Sequence, residues 1–274
     1  LHHTYYSRRF LRRPGRLLQV TTIYDMIPEL LTGTAYRTGS HLNKRDYVEK
    51  CDLVICISNS TRRDMEDIYG PIAKRVVTIP LSVSSEFGPT KPALSGLPSD
   101  YLLYVGKRSG YKDFRVLIAA LKELQGAGID IPLVAVGAAF SSKESDELHS
   151  MGLRDRIVDI SLNDHDLACA YANATLLVQT SRYEGFGLTP LEGMASGTPV
   201  VVADTSAMPE VGGDAANYFS AGDPVDLARV IAHLLTDDQE RVRRAKMGIE
   251  RAKLFNPQRL AESTAREYMK LRLD

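Results

Sequence analysis

Short apolar runs alternate with amphipathic stretches along the whole chain. Leu17–Ile23, Leu53–Ser58, Val76–Ile79, Tyr101–Val105, Leu133–Val136, Ile157–Ile160, Leu176–Gln179 and Val200–Ala203 predict strands. Their near-continuous apolar character is that of parallel strands covered on both faces. Lys112–Gln125, Asp166–Ala172 and Pro224–Leu235 carry apolar residues at helical spacing. Strands alternating with helices predict an α/β protein built on doubly wound parallel sheets. One stretch breaks the rhythm: Pro80 to Pro98 holds four prolines and two glycines without periodicity and reads as a linker. It divides the chain into a first unit, 1–88, and a second, 89–255. A last amphipathic helix, Asn256–Asp274, follows the break at Pro257. The first unit offers only two or three strand candidates, fewer than the roughly five or six of a doubly wound domain, and is expected to be incomplete.

The 274 residues suffice for two domains. Lys+Arg and Asp+Glu both number 34, and a balanced charge argues against a nucleic-acid partner. Arg8-Arg9 and Arg12-Arg13 are basic clusters that read either as a solvated face or as a contact for a membrane surface or acidic lipid carrier. Cys51, Cys56 and Cys169 form no CxxC pair; Cys51 and Cys56, in or beside an apolar run, read as small core residues, and so sparse a count suits a reducing cytosol. There is neither a signal-peptide pattern nor an apolar run long enough to span a membrane. The expected location is cytoplasmic, with peripheral contact at the inner membrane left open. The chain starts without Met, almost inside a domain, and is expected to be a fragment.

Two segments carry candidate chemistry. Thr180–Val202 runs from a strand through Glu184-Gly185-Phe186-Gly187 into a helix expected to open with Thr189 as N-cap and Pro190 in its first position. A strand, a glycine loop and a helix N-terminus together make an anion site, with a pyrophosphate as its natural occupant. Equally, Thr189-x-x-Glu192 fits a capping box, and the glycines fit a tight turn. In the second segment, Gly106 ends a strand, and Arg108 and Lys112 follow, with Lys112 expected to begin a helix. Cations at the carboxyl end of a parallel strand can stabilise a departing diphosphate without a metal; solvated loop cations are the plainer reading. Asp164-His165-Asp166 imitates a DxD metal motif but stands at a helix start, where acidic residues cap. No metal or other cofactor is expected.

The stretch EGFGLTPLE places Glu184 and Glu192 around seven residues, and GTPVVVADTSAMPEVGGDAANYF continues the same pattern. Together they resemble the retaining GT-B glycosyltransferases of the glycosyltransferase-4 group, most like bacterial polysaccharide mannosyl- and rhamnosyltransferases. The resemblance covers nearly the whole chain and is strongest from Tyr101 to Phe219. It implies two Rossmann-like domains, the first truncated and accompanied by the terminal helix. It also implies that Glu184 faces the donor sugar, Glu192 binds the ribose, and amides of Gly187, Leu188 and Thr189 hold the phosphates, with Gly185 and Phe186 also in the donor site. The pattern YVGxRxxYK then supplies Arg108 and Lys112 to the diphosphate, and Leu162 and Asn163 lie near the base. Tyr24-Asp25-Met26-Ile27-Pro28 resembles the family's HDxxP, with Tyr24 in place of the catalytic His and Asp25 retained. Ile57–Asp64 resembles the next strand-to-helix turn and reads as an N-cap cluster. The activity implied is transfer of a hexose, with mannose one candidate, from a nucleoside diphosphate sugar to a saccharide or lipid-linked acceptor. A non-catalytic nucleotide-sugar-binding module and a GT-B epimerase are the alternatives; the absent GxGxxG disfavours a dehydrogenase.

Overall fold

The computed structural model describes residues 1–6, 17–31, 41, 43–72 and 74–273. The basic clusters at 8–9 and 12–13 lie outside them. By internal contact the chain forms two compact units. The first comprises 1–82, 183–186 and 255–274; the second comprises 83–182 and 187–254. The division falls between Ser82 and Val83, six residues before the expected boundary, and the Tyr183–Phe186 loop groups with the first unit instead of the second.

The first unit is a four-stranded parallel sheet in the order β1-β2-β3-β4: β1 His2–His3, β2 Val20–Ile23, β3 Leu53–Cys56 and β4 Arg75–Thr78. α1 (Ile27–Leu30) and α2 (Lys44–Lys50) follow β2, and α3 (Asn59–Tyr69) follows β3. Ile23, Met26, Tyr47, Val54 and Met65 are fully enclosed on one face. Cys51 and Cys56 are buried free thiols in the same core, and burial pushes the Cys56 thiol up to about 12.

The second unit is a six-stranded parallel sheet: β5 Leu102–Val105, β6 Leu133–Val136, β7 Ile157–Ile160, β8 Leu176–Gln179, β9 Val200–Ala203 and β10 Asn217–Phe219. Its spatial order, β7-β6-β5-β8-β9-β10, is the 3-2-1-4-5-6 winding of dinucleotide-binding sheets. The winding reverses between β5 and β8, so the loops after these two strands flank the switch point. Helices α4 (Phe114–Gly126), α5 (Ser142–Ser150), α6 (Asp164–Asn173), α7 (Leu188–Ala195), α8 (Met208–Gly212), α9 (Pro224–Thr236) and α10 (Asp238–Ala252) complete the unit. β5, β6, β8 and β9 are buried almost throughout, as their apolar runs require. The terminal helix α11 (Pro257–Leu273) groups with the first unit, where Glu267 meets Arg75 at 2.7 Å and Leu260 packs against the sheet. Among the described residues no helix is long and apolar enough to cross a membrane.

Candidate functional site

Two loops of the second unit meet at the switch point. After β5, Gly106 turns the chain at φ +132°, and a 3-10 turn (Gly110–Lys112) precedes α4. The helix begins at Phe114, not at Lys112, because Asp113 takes a left-handed conformation that ends the turn. The loop after β8 is bonded to this one: the Thr180 hydroxyl donates to Lys112 O at 2.9 Å, Arg182 N donates to Tyr111 O at 2.8 Å, and Arg182 Nε donates to Asp113 at 2.6 Å. Lys112 is half-buried, its ammonium 5.3 Å from the Tyr111 ring.

α7 opens two residues earlier than the sequence suggests. Gly187, at φ +112°, is the N-cap, so Thr189 and Pro190 are the second and third helical residues. The expected Thr189 cap is absent because only glycine adopts the left-handed start without strain. Leu191 N is the first amide bonded back, to Gly187 O at 3.2 Å, and Pro190 has no N–H. The amides of Gly187, Leu188 and Thr189 have no acceptor among the described residues, so three successive donors stand at the positive end of the helix.

Glu192 makes no capping box. Its Oε2 accepts a 2.8 Å hydrogen bond from the Tyr171 hydroxyl of α6, and burial raises its carboxyl above the ordinary value. A partly buried carboxylate with a fixed partner is a better candidate for ligand contact than for capping.

Arg108 is less open than expected. Its guanidinium bonds Glu144 (Nε to Oε1, 3.0 Å) and the carbonyls of Ala138 and Ala139, and lies 4.2 Å over the Phe140 ring. The Arg108 hydrogen bonds hold the Glu144 carboxyl down to about 2. A diphosphate would have to draw Arg108 from this partner. Lys107, which the sequence did not single out, is the exposed cation beside it on a depression lined by Gly106, Arg108, Gly137 and Glu144.

The two base-contact candidates stand before α6. Asn163 is its N-cap, accepting from Asp166 N at 2.9 Å, and Leu162 is half-buried beside it. Asp164 and Asp166 occupy the first turn of the helix, where carboxylates favour the positive end. Among the described residues no group of three or more His, Cys, Asp or Glu side chains is arranged to hold a metal.

The other residues singled out in the sequence lie in the first unit. Gly185 is pressed onto the Tyr24-Asp25 turn, where an added Cβ would stand 2.1 Å from Tyr24 O. Its carbonyl accepts from Ser58 Oγ (2.7 Å) and Thr61 Oγ1 (3.0 Å), and the same Ser58 caps α3. The Ile57–Asp64 turn is therefore a cap cluster, as read, and also grips this loop. Tyr183 donates to Asp64 at 2.5 Å, and Phe186 packs edge-on against Phe255. Asp25 Oδ1 accepts from Ile27 N at 3.0 Å. Beneath it the buried Lys44 ammonium bonds Asp25 O at 2.7 Å and Glu29 at 2.9 Å, an anchor that no local pattern announced. Tyr24, which the resemblance sets in the place of a histidine, is 36% exposed. Glu184 is half-buried. His2 bonds Thr22 Oγ1 at 2.8 Å on the edge of this sheet, and His3 is buried.

Residues 92–251, more than half of the chain, match the family model described as "Glycosyl transferases group 1". The chain is 31% identical to the O-antigen chain mannosyltransferase B of Escherichia coli, over 93% of this chain and 71% of that protein. It is 31% identical to the lipopolysaccharide core biosynthesis mannosyltransferase LpcC of Rhizobium leguminosarum bv. viciae, over 76% of this chain and 61% of that one. Among solved structures, the sucrose-phosphate synthase from Thermosynechococcus elongatus aligns with a TM-score of 0.85 at 22% identity, covering 99% of this chain and 73% of that one. Anabaena HepE, solved with UDP and glucose, aligns at 0.75 and 21%, covering 91% and 72%. The two parallel-sheet units have the GT-B fold of these neighbours, and the chain belongs to the group 1 glycosyl transferases.

Proposed function

We propose that the second unit binds a nucleoside diphosphate sugar and that the protein transfers its hexose, mannose by analogy with the relatives, to a hydroxyl of a saccharide or lipid-linked acceptor with retention of configuration. One observation carries the reading most: Glu192 is released from helix capping and held by Tyr171, one turn beyond three unpaired amides at the switch point. Phosphate at the amides and ribose at the carboxylate match that order of groups.

In this reading the amides of Gly187, Leu188 and Thr189, with Lys112, take up charge that grows on the departing diphosphate. Arg108 joins them when the ligand outcompetes Glu144. The acceptor hydroxyl attacks from the face that the diphosphate leaves, and a phosphate oxygen accepts its proton. Leu162 and Asn163 lie beside the base, and the resemblance alone assigns Glu184 to the sugar. No metal ion takes part. A lipid-linked acceptor would bring the protein to the inner face of a membrane.

The test incubates the protein with GDP-mannose, EDTA and a lipid-linked saccharide acceptor, and reads the anomeric configuration of the product by NMR. An axial mannosyl linkage supports the reading. An equatorial linkage would overturn retention, and a strict need for divalent cation would overturn the metal-free account. The position of Tyr24 supports a second reading, a module that binds the donor without transfer; nucleotide-sugar binding with no product on any acceptor tested would favour it.

A further inference from the structure

Tyr171 belongs to no motif recognised in the sequence, yet it is among the largest fully buried side chains of the second unit. Its hydroxyl donates to Glu192 Oε2 at 2.8 Å. It thus ties α6 to the carboxylate on α7. Glu192 Oε1 has no hydrogen-bond partner among the described residues. The ring is fixed edge-on against Phe87 at 5.5 Å between centroids, and Tyr171 O accepts from Thr198 Oγ1.

A glutamate side chain has three rotatable bonds, and a half-buried one keeps one carboxylate direction only if a neighbour holds it. Here a single donor takes one oxygen and leaves the other for a ligand. A vicinal diol donates two hydrogen bonds, so its recognition requires a carboxylate that is both ionised and aimed. We infer that Tyr171 is a positioning residue for Glu192 and thereby sets the preference of the site for a ribose diol over a sugar lacking those hydroxyls. The inference rests on the donor-site reading above and deepens it.

The test compares GDP with 2′,3′-dideoxy-GDP by calorimetry, or UDP with its dideoxy counterpart if UDP binds better, in wild-type protein and Tyr171→Phe. The phenylalanine keeps the ring contact and removes only the hydroxyl. The expected result is a wild-type preference for the ribonucleotide that falls about tenfold in Tyr171→Phe, while the dideoxy affinity stays unchanged. The acid limb of ribonucleotide binding also moves to higher pH, because Glu192 keeps Asp164 of α6 facing it and loses the Tyr171 donor. Equal weakening of both ligands, or no change in either, would overturn the inference and leave Tyr171 as packing. If Tyr171→Phe does not fold, Phe87→Ala, which loosens the ring from a half-buried position before β5, is expected to cut the preference in the same direction; an unchanged preference there would overturn it equally. Wild-type protein that binds no nucleoside diphosphate would instead sink the donor-site reading itself.

Discussion

Gly187 and Gly185 stand two positions apart and are required for different reasons. An alanine at 187 would place its Cβ 2.4 Å from Met208 Cε, a flexible tip that can swing away, but it would keep an unfavourable φ of +112°. Gly187→Ala is expected to cost about 1–3 kcal/mol by urea unfolding and to weaken nucleotide binding by disturbing the free amides. At Gly185 the obstacle is the backbone oxygen of Tyr24, which has no rotamer to change. Gly185→Ala is expected to destabilise the first unit more than Gly187→Ala does the second, as measured by hydrogen exchange in β2 and β3. Glu192 gives a pH signature. Its folded value is raised by burial, so its contribution to stability is present below the unfolded carboxyl value and lost as pH rises through the folded one. Glu192→Gln should therefore raise the Tm at pH 7 and leave it nearly unchanged at pH 4, while weakening nucleotide binding. A lower Tm at pH 7 would contradict this. At this scale the sequence offers candidates but does not show what holds them. The spacing of Glu184 and Glu192 was visible in the chain, whereas Tyr171 lies 21 positions from Glu192 and Lys44 is 19 from Asp25. Side chains brought together by separate elements leave no local pattern.

Elements were legible where burial is uniform. β6, β7, β8 and β9 coincide with the apolar runs that predicted them. β1, of two residues, and β10, Asn217–Phe219, are too short and too mixed in character to register as runs. The start of α7 was misread because Thr189-x-x-Glu192 imitates a capping box while Gly187 takes the cap. Packing of this helix depends on small residues. A Cβ on Gly193 would lie 2.6 Å from Leu177 Cδ2 and 3.1 Å from Val200 Cγ1, and one on Gly248 of α10 would lie 3.3 Å from Met194. Gly193→Ala is expected to cost about 1–3 kcal/mol through overpacking. The Arg108–Glu144 pair ties the β5 loop to α5. Glu144 is held near 2, below the unfolded carboxyl range, so the pair persists across neutral pH and is lost as pH falls through about 2. Glu144→Gln keeps the capping-box geometry and frees Arg108, and should tighten nucleoside diphosphate binding several-fold. Unchanged affinity in calorimetry would mean that Arg108 does not reach the diphosphate.

The molecule as a whole divides into a four-stranded and a six-stranded parallel sheet, each with its own core. The Pro-rich stretch announced the division, since prolines and glycines without periodicity cannot continue either sheet. Its edge falls at Ser82, because residues from Val83 onward already group with the second unit: Phe87 packs on Tyr171, and Pro89 lies against Gly197. That the Tyr183–Phe186 loop groups with the first unit could not be read from a chain order that places it inside the second. If the donor site belongs to the second unit, ligand binding should stabilise that unit by about 2.7 kcal/mol at a ligand concentration of 100 Kd, seen as slowed amide exchange in β5, β8 and α7. The central claim, a metal-free nucleoside diphosphate site at the switch point of the second sheet, is tested most directly by calorimetric titration of GDP, UDP, ADP and dTDP with and without EDTA. The account predicts selective binding of one diphosphate, unaffected by EDTA and weakened at least tenfold by Glu192→Ala. Folded protein that binds none of the four, or binds only when divalent cation is present, would contradict it.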